Sequence, residues 1–117
     1  MTIQRDDILI YGLLDFIDKY VKDTDIICEI GTCIGESTVL FARKCNFIYT
    51  IDPFMDEKVN NLPKRDVFYN RIYTYNIQHK IKLIEGKSSD VVNTFDDNSI
   101  DLLYIDGDHE YEYVKII

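Results

Sequence analysis

Residues 26–37 read IICEIGTCIGES, and this stretch decides the fold of the chain. Residues 26–30 are a short apolar run bounded by turn residues, which is typical of a strand buried inside a sheet. Residues 31–35 begin and end with glycine, and residues from Glu36 onward have the apolar spacing of a helix. A strand that passes through a glycine turn into a helix is the repeating unit of an alternating α/β fold.

On both sides of that unit, helices and strands alternate along the chain. Helices are predicted over residues 6–21, 36–44, 64–77 and 88–94, and a last helix is predicted to begin within residues 110–117. Strands are predicted over residues 26–30, 47–51, 81–86 and 100–106. This alternation favours right-handed crossovers and a parallel sheet covered on both faces. The sequence therefore predicts an α/β protein, a Rossmann-like three-layer αβα domain over residues 1–117, with four parallel strands in the order 3-2-1-4.

The fourth predicted strand, residues 100–106, is almost wholly apolar and needs neighbours on both edges. Nothing that follows it reads as another strand. It is therefore either an exposed edge, which is an aggregation hazard, or part of a longer protein. We favour the second alternative.

The composition excludes several classes of protein. The chain has 117 residues, 46% of them hydrophobic, and a net charge of −8, with 13 basic residues that form no stripe. Nucleic acid is a poor partner for such a surface, because binding needs cations that neutralise phosphates. No apolar run approaches the roughly 20 residues that span a bilayer, so no membrane partner is expected. We expect a cytoplasmic protein whose three cysteines, Cys28, Cys33 and Cys45, are reduced thiols.

The glycine turn is the first candidate binding element. Gly31 and Gly35 allow a sharp backbone turn and a close ligand approach. Their Gly-x-x-x-Gly spacing differs from the G-x-G-x-x-G of dinucleotide sites, and no phosphate-loop lysine follows. With the hydroxyls of Thr32 and Ser37, the turn suits a carboxylate and a neutral nucleoside better than a polyphosphate. The alternative is a plain strand–helix turn with two convenient glycines.

Asp52 is the second candidate. It ends the second predicted strand, about twenty residues after the glycine turn, where a carboxylate can accept hydrogen bonds from both hydroxyls of a ribose. Its alternative is a turn residue before Pro53. Together with the glycine turn, Asp52 indicates a cofactor that contains adenosine.

Two further candidates follow the third and fourth predicted strands. Ser88 or Ser89 could cap the next helix, or could face an adenine edge, since ligands of such folds bind at the carboxyl ends of the strands. Asp106, Asp108 and His109 form an ionisable cluster. They could hold a hard divalent cation or act as a general base, while Asp108 alone could be a helix N-cap.

Residues 29–37, Asp52, residues 86–90 and residues 104–111 together resemble class I S-adenosylmethionine-dependent methyltransferases. Within these, the sequence of residues 105–111, IDGDHEY, resembles the branch of macrocin-type sugar O-methyltransferases and cephalosporin-hydroxylase-like proteins. Catechol O-methyltransferase is a more distant relative. The fold of this family has seven strands, so the four readable here are an incomplete set.

The resemblance implies a role for each candidate. Asp52 would hold the ribose hydroxyls, and Ser88 and Ser89 would border the adenine. Asp106 would ligate magnesium, and Asp108 or His109 would act as the base. The methionine moiety of the cofactor would lie along the glycine turn, whose predicted binding residues are Glu29, Gly31, Thr32, Gly35 and Ser37.

The expected function is methyl transfer from S-adenosylmethionine to the hydroxyl of a small-molecule acceptor, with magnesium assistance where Asp106 binds the metal. The alternatives are a non-catalytic or truncated cofactor-binding fragment and, disfavoured by the glycine spacing, a nicotinamide-dependent oxidoreductase. Homo-oligomerisation is left open. All of these roles require Gly31, Asp52, Ser88 and Asp106 to converge along one rim of the sheet.

Overall fold

The computed structural model describes residues 2–4, 12–31, 34–96, 98–105 and 113–116. The helices are α1 (Leu13–Tyr20), α2 (Glu36–Ala42), α3 (Lys64–Thr74) and α4 (Ser88–Val91), with 3-10 turns at Gln78–Lys80 and Val92–Thr94. The strands are β1 (Thr2–Gln4), β2 (Ile26–Ile30), β3 (Phe47–Asp52), β4 (Lys58–Val59), β5 (Leu62–Pro63), β6 (Ile81–Glu85), β7 (Leu102–Ile105) and β8 (Tyr113–Ile116).

The centre of the sheet is parallel and confirms the predicted strand order. Strands β6, β3, β2 and β7 lie side by side in that order, which is 3-2-1-4 in the order of the predicted strands. Helices connect the strands because a parallel pair needs a crossover of a dozen or more residues. The Rossmann-like fold predicted from the sequence is therefore present.

The end of the chain differs from the prediction. Residues 113–116 form strand β8, not a helix, and β8 pairs antiparallel with β7 and with β1. The prediction that nothing after the fourth strand supplies another strand is therefore wrong, and β7 is not an exposed edge of the sheet. Tyr113, Val114 and Ile116 are residue types that favour strands, and the open edge of β7 offers backbone hydrogen bonds.

The apolar side chains form a core on each face of the sheet. Alternate residues of a strand point to opposite faces, so Ile27 packs with one core and Cys28 with the other. Phe16 of α1, Phe41 of α2 and Phe68 of α3 are buried in the first core. Val91, at the end of α4, is buried in the second core.

In the part of the chain that the structure describes, no helix combines the length and the apolar character that crossing a membrane requires.

Candidate functional site

The carboxyl ends of the parallel strands meet at one edge of the sheet. Gly31, directly after β2, donates its backbone N–H to the carbonyl oxygen of Ile51 in β3 at 2.8 Å. Gly86, directly after β6, donates its N–H to the carbonyl oxygen of Asp52 at 3.3 Å. The loop after β2, the end of β3 and the loop after β6 are therefore immediate neighbours. Asp106 lies outside the described residues, so its place on this rim stays a prediction.

Both glycines of the turn adopt backbone conformations that other residues rarely adopt. The φ angles are +86° at Gly31 and +85° at Gly35, which is the N-cap of α2. A Cβ atom on Gly35 would lie 2.9 Å from Cδ2 of Phe68. The positive φ and the packing against Phe68 together explain why position 35 is glycine without any ligand, as the plain-turn interpretation expects. Thr32 lies outside the described residues.

Replacing Gly35 with alanine is expected to lower the free energy of unfolding by about 2–4 kcal/mol, because the positive φ and the contact with Phe68 both oppose a side chain. The matched control is the same change in a Phe68→Leu background, which keeps the αL backbone of residue 35 and removes the ring that a Cβ would meet. Urea unfolding followed by circular dichroism measures the loss in both backgrounds, and equal losses would show that the contact with Phe68 is irrelevant.

Glu29 and Ser37, both predicted to bind the cofactor, are hydrogen-bonded to each other. Glu29 is 0% exposed. Its carboxylate accepts hydrogen bonds from the hydroxyls of Ser37 and Thr38 in α2, and from Oγ1 of Thr50 in β3 at 2.9 Å. The cluster fastens α2 to two neighbouring strands beside the glycine turn. A direct contact of Glu29 or Ser37 with a cofactor stays a prediction.

Thr38 and Thr50 are the members of this cluster that the sequence analysis missed. Both are fully buried. The alternation of faces along a strand could have predicted their burial. Glu29 lies on the same face as the apolar Ile27, and Thr50 lies on the same face as the apolar Ile48. Because Glu29 and Thr50 are register partners in the parallel pair of β2 and β3, their buried carboxylate and hydroxyl lie side by side.

Asp52 is the last residue of β3 and is 5% exposed. Its Oδ1 accepts the backbone N–H of Phe54 at 2.8 Å, a bond from residue i+2 that is typical of an Asx turn. The turn interpretation of Asp52 therefore describes a bond that is present. A carboxylate has about four acceptor directions, so a role in the turn and a role toward a ribose are compatible.

Arg65, near the start of α3, joins two segments of this rim. Its guanidinium donates to the carboxylate of Glu85 at the end of β6, and to Oδ1 of Asp56 at 2.8 Å. These hydrogen bonds, first from Glu85 and then from Asp56, raise the pKa of Arg65 above its usual value. None of these three residues is among the site residues predicted from the sequence.

The segment after β6 leads into the short helix α4. The carbonyl oxygen of Lys87 accepts the N–H groups of Asp90 and Val91, at 3.0 and 3.1 Å, which starts the helix. Ser89 is exposed, and its carbonyl oxygen accepts Nδ2 of Asn93 at 3.3 Å. Ser88 begins the helix, and its side chain is not among the described ones. The segment borders the rim, and its predicted role toward adenine stays a prediction.

Among the described residues, no group of three or more His, Cys, Asp or Glu side chains could hold a metal ion. Asp106, Asp108 and His109, predicted as metal ligand and bases, lie outside those residues. Cys28 and Cys45 are buried free thiols, and burial raises their pKa values to about 12 and about 11. Both are therefore neutral at physiological pH, as expected for core thiols.

A groove of about 360 Å³ lies between α2 and α3. It is lined by Glu36, Val39, Leu40, Arg43, Arg71 and Tyr75. None of these is a predicted site residue, and none lies on a strand end. The chemistry-bearing residues therefore collect at the carboxyl edge of the sheet and not in this groove.

Comparison with known proteins shows which family the chain matches. The sequence profile of a family described as "Methyltransferase domain" matches residues 28–117. Over 106 residues the chain is 34% identical to an uncharacterized protein, R132, of Acanthamoeba polyphaga mimivirus, with 87% of this chain and 47% of that protein covered. The chain thus spans about half the length of this relative.

Two solved structures illustrate the likeness of fold. An rRNA methylase from Streptococcus thermophilus superposes with a TM-score of 0.64 at 16% identity, covering 82% of this chain and 48% of that one. The O-methyltransferase TomG from Streptomyces achromogenes, involved in tomaymycin synthesis and solved in complex with S-adenosylmethionine, gives a TM-score of 0.60 at 21% identity. That superposition covers 81% of this chain and 41% of TomG.

Proposed function

The chain belongs to this methyltransferase-domain family, and from that premise we propose that it binds S-adenosylmethionine and transfers its methyl group to a hydroxyl of a small molecule. One observation carries the proposal. Along a single edge of the sheet, backbone hydrogen bonds join Gly31 to Ile51, the residue before Asp52, and Gly86 to Asp52 itself, although these positions are far apart in the sequence. Ligands of open α/β folds bind at such an edge.

The chemistry of the residues at this edge fits the adenosyl group. Asp52 accepts hydrogen bonds from the two ribose hydroxyls, since a carboxylate offers acceptor positions on both of its oxygens. The backbone of Gly31 and Gly35 runs beside the methionine moiety, together with Glu29, Thr32 and Ser37. Ser88 and Ser89 border the adenine. These roles are tested by replacing one residue at a time and measuring the affinity of each variant for the cofactor.

The only acid–base step that methyl transfer requires of the protein is removal of the proton from the acceptor hydroxyl. S-adenosylmethionine supplies the electrophilic methyl group on its sulfonium. The acceptor oxygen would bond to the methyl carbon as the methyl–sulfur bond breaks, with S-adenosylhomocysteine as the leaving group. Asp108 or His109 would take the proton of the acceptor hydroxyl, and the rest of the site would align the reacting atoms. The net charge of −8 favours a neutral polyol or sugar over an anionic acceptor.

The sequence of residues 105–111 favours the macrocin-type branch and, with it, O-methylation and magnesium at Asp106. TomG, an O-methyltransferase of similar fold, supports O-methylation. If magnesium takes part, methyl transfer by the wild type depends on added Mg²⁺ and stops with EDTA, and Asp106→Asn has the same effect. Full activity in EDTA would remove the metal from the proposal.

Cofactor binding without turnover is the second candidate. It is favoured by the side chains described at the rim, because Glu29, Ser37 and Asp52 are all assigned to the cofactor and none of them to the acceptor. Transfer of a labelled methyl group to an acceptor library distinguishes the two candidates. Binding without transfer to any acceptor would favour the second.

Isothermal titration with S-adenosylhomocysteine tests the proposal, with NAD⁺ as the matched adenosine-containing control. We expect saturable binding of S-adenosylhomocysteine in the micromolar range and much weaker binding of NAD⁺. Binding of NAD⁺ alone would favour a nicotinamide-dependent oxidoreductase, and binding of neither ligand would overturn the proposal.

A further inference from the structure

Arg65 connects two segments that are distant in the sequence but adjacent on the rim. One segment, residues 53–57, follows β3, and the other is the end of β6. The Arg65 guanidinium donates from Nη1 to Asp56 in the first segment and from Nε to Glu85 in the second. Its backbone N–H also donates to the carbonyl oxygen of Met55 at 2.9 Å. The Met55 side chain is buried, so the bridge is anchored to the core.

The bridge also determines the charge beside Asp52. Glu85 is the register partner of Asp52 in the parallel pair of β3 and β6, so two acidic residues end neighbouring strands at the rim. Like charges on neighbouring strands repel each other unless a cation compensates one of them. The guanidinium of Arg65 compensates the charge of Glu85, the acidic residue in register with Asp52.

Resting on the proposed function, we propose that Arg65 is a positioning residue for the cofactor. By bridging Asp56 and Glu85, it fixes the separation between residues 53–57 and the end of β6, which border the proposed adenosine site. It also neutralises the carboxylate of Glu85, the register partner of Asp52. Arg65 does not touch the reacting atoms. It acts through the two acidic residues that it holds.

The ion pairs of Arg65 are partly exposed to solvent, so their contribution to cofactor binding can be measured through its dependence on salt. The side chain of Arg65 is 36% exposed and that of Asp56 is 88% exposed, so solvent and salt screen their attraction. A role that depends on this ion-pair network must therefore weaken as ionic strength rises. A role that depends only on packing of the Arg65 stem must not.

The test is titration of the full chain with S-adenosylhomocysteine at about 20 mM and about 500 mM salt, conditions that differ several-fold in Debye length. Arg65→Met keeps an unbranched apolar stem but removes the charge. We expect its affinity to be about five- to tenfold lower than that of the wild type at low salt, and within about twofold at high salt. Arg65→Lys, which keeps the charge but cannot bridge as a fork, should be intermediate.

Arg71→Met is the matched control. Arg71 lies on the same helix, is similarly exposed, and pairs with Glu36 at 3.4 Å away from the bridge. It should bind S-adenosylhomocysteine within about twofold of the wild type at both salt concentrations. Near-UV circular dichroism verifies that each variant is folded.

The outcomes separate this inference from the proposed function. If the wild type binds S-adenosylhomocysteine and Arg65→Met binds it equally well at low salt, the inference is wrong and the proposed function stands. An equal loss at both salt concentrations also overturns it, because packing then explains the loss. If the wild type does not bind at all, the proposed function fails and this inference fails with it.

Discussion

Replacing Glu29 with alanine is expected to lower the free energy of unfolding by about 3–5 kcal/mol. The carboxylate is fully buried and accepts hydrogen bonds from Ser37, Thr38 and Thr50. Removing it leaves these hydroxyls without their acceptor and opens a cavity between α2 and the sheet. Because a domain of this size has about 5–15 kcal/mol of stability in total, this loss is between about a fifth and the whole of it.

Chemical denaturation followed by circular dichroism measures this loss. Glu29→Gln keeps the shape and one carbonyl acceptor, so we expect a smaller loss, of about 1–2 kcal/mol. Glu36→Ala is the control, since Glu36 is exposed and its ion pair with Arg71 should contribute less than about 1 kcal/mol. If Glu29→Ala is as stable as Glu36→Ala, the buried cluster does not hold α2 to the sheet.

Replacing Asp52 with alanine is expected to weaken the binding of S-adenosylhomocysteine by about 100-fold or more. Two hydrogen bonds from ribose hydroxyls to a carboxylate each contribute about 1.5–3 kcal/mol, and every 1.4 kcal/mol is tenfold in affinity. Part of the loss in this variant reflects the turn, because Asp52 also accepts the N–H of Phe54.

Asp52→Asn separates these two effects. Its amide oxygen can still accept the N–H of Phe54, so the turn is kept, while the negative charge is lost. We expect about a tenfold loss of affinity with unchanged thermal stability. Asp66→Asn, an exposed change in the first turn of α3, should bind like the wild type. Wild-type affinity in Asp52→Asn would exclude a direct role of the carboxylate.

The parallel centre of the sheet could be predicted from the sequence because the residues that specify each strand and helix are neighbours in the chain. The apolar runs at residues 26–30 and 47–51 need cover on both faces, and the helices between them supply that cover. Right-handed crossovers then leave few possible strand orders. Gly31 and Asp52 were found in the same way, because residues that directly follow neighbouring parallel strands meet at one edge.

What could not be predicted depends on partners that are distant in the sequence. Residues 113–116 form a strand because the edge of β7 offers backbone hydrogen bonds, and local propensity alone does not show which edge is open. Arg65 is separated from Glu85 by 20 residues, and its position on α3 gives no sign of a partner at the end of β6. Ser37 looked like a ligand-binding hydroxyl, and its bond to Glu29 became visible only in three dimensions.

A crystal structure of the chain with S-adenosylhomocysteine tests the central claim most directly. We predict the adenosyl group at the carboxyl edge of β2, β3 and β6, with both ribose hydroxyls at about 2.5–3.0 Å from the carboxylate oxygens of Asp52. The same ligand bound in the groove between α2 and α3, or anywhere that leaves Asp52 and the glycine turn without contact, would contradict the account.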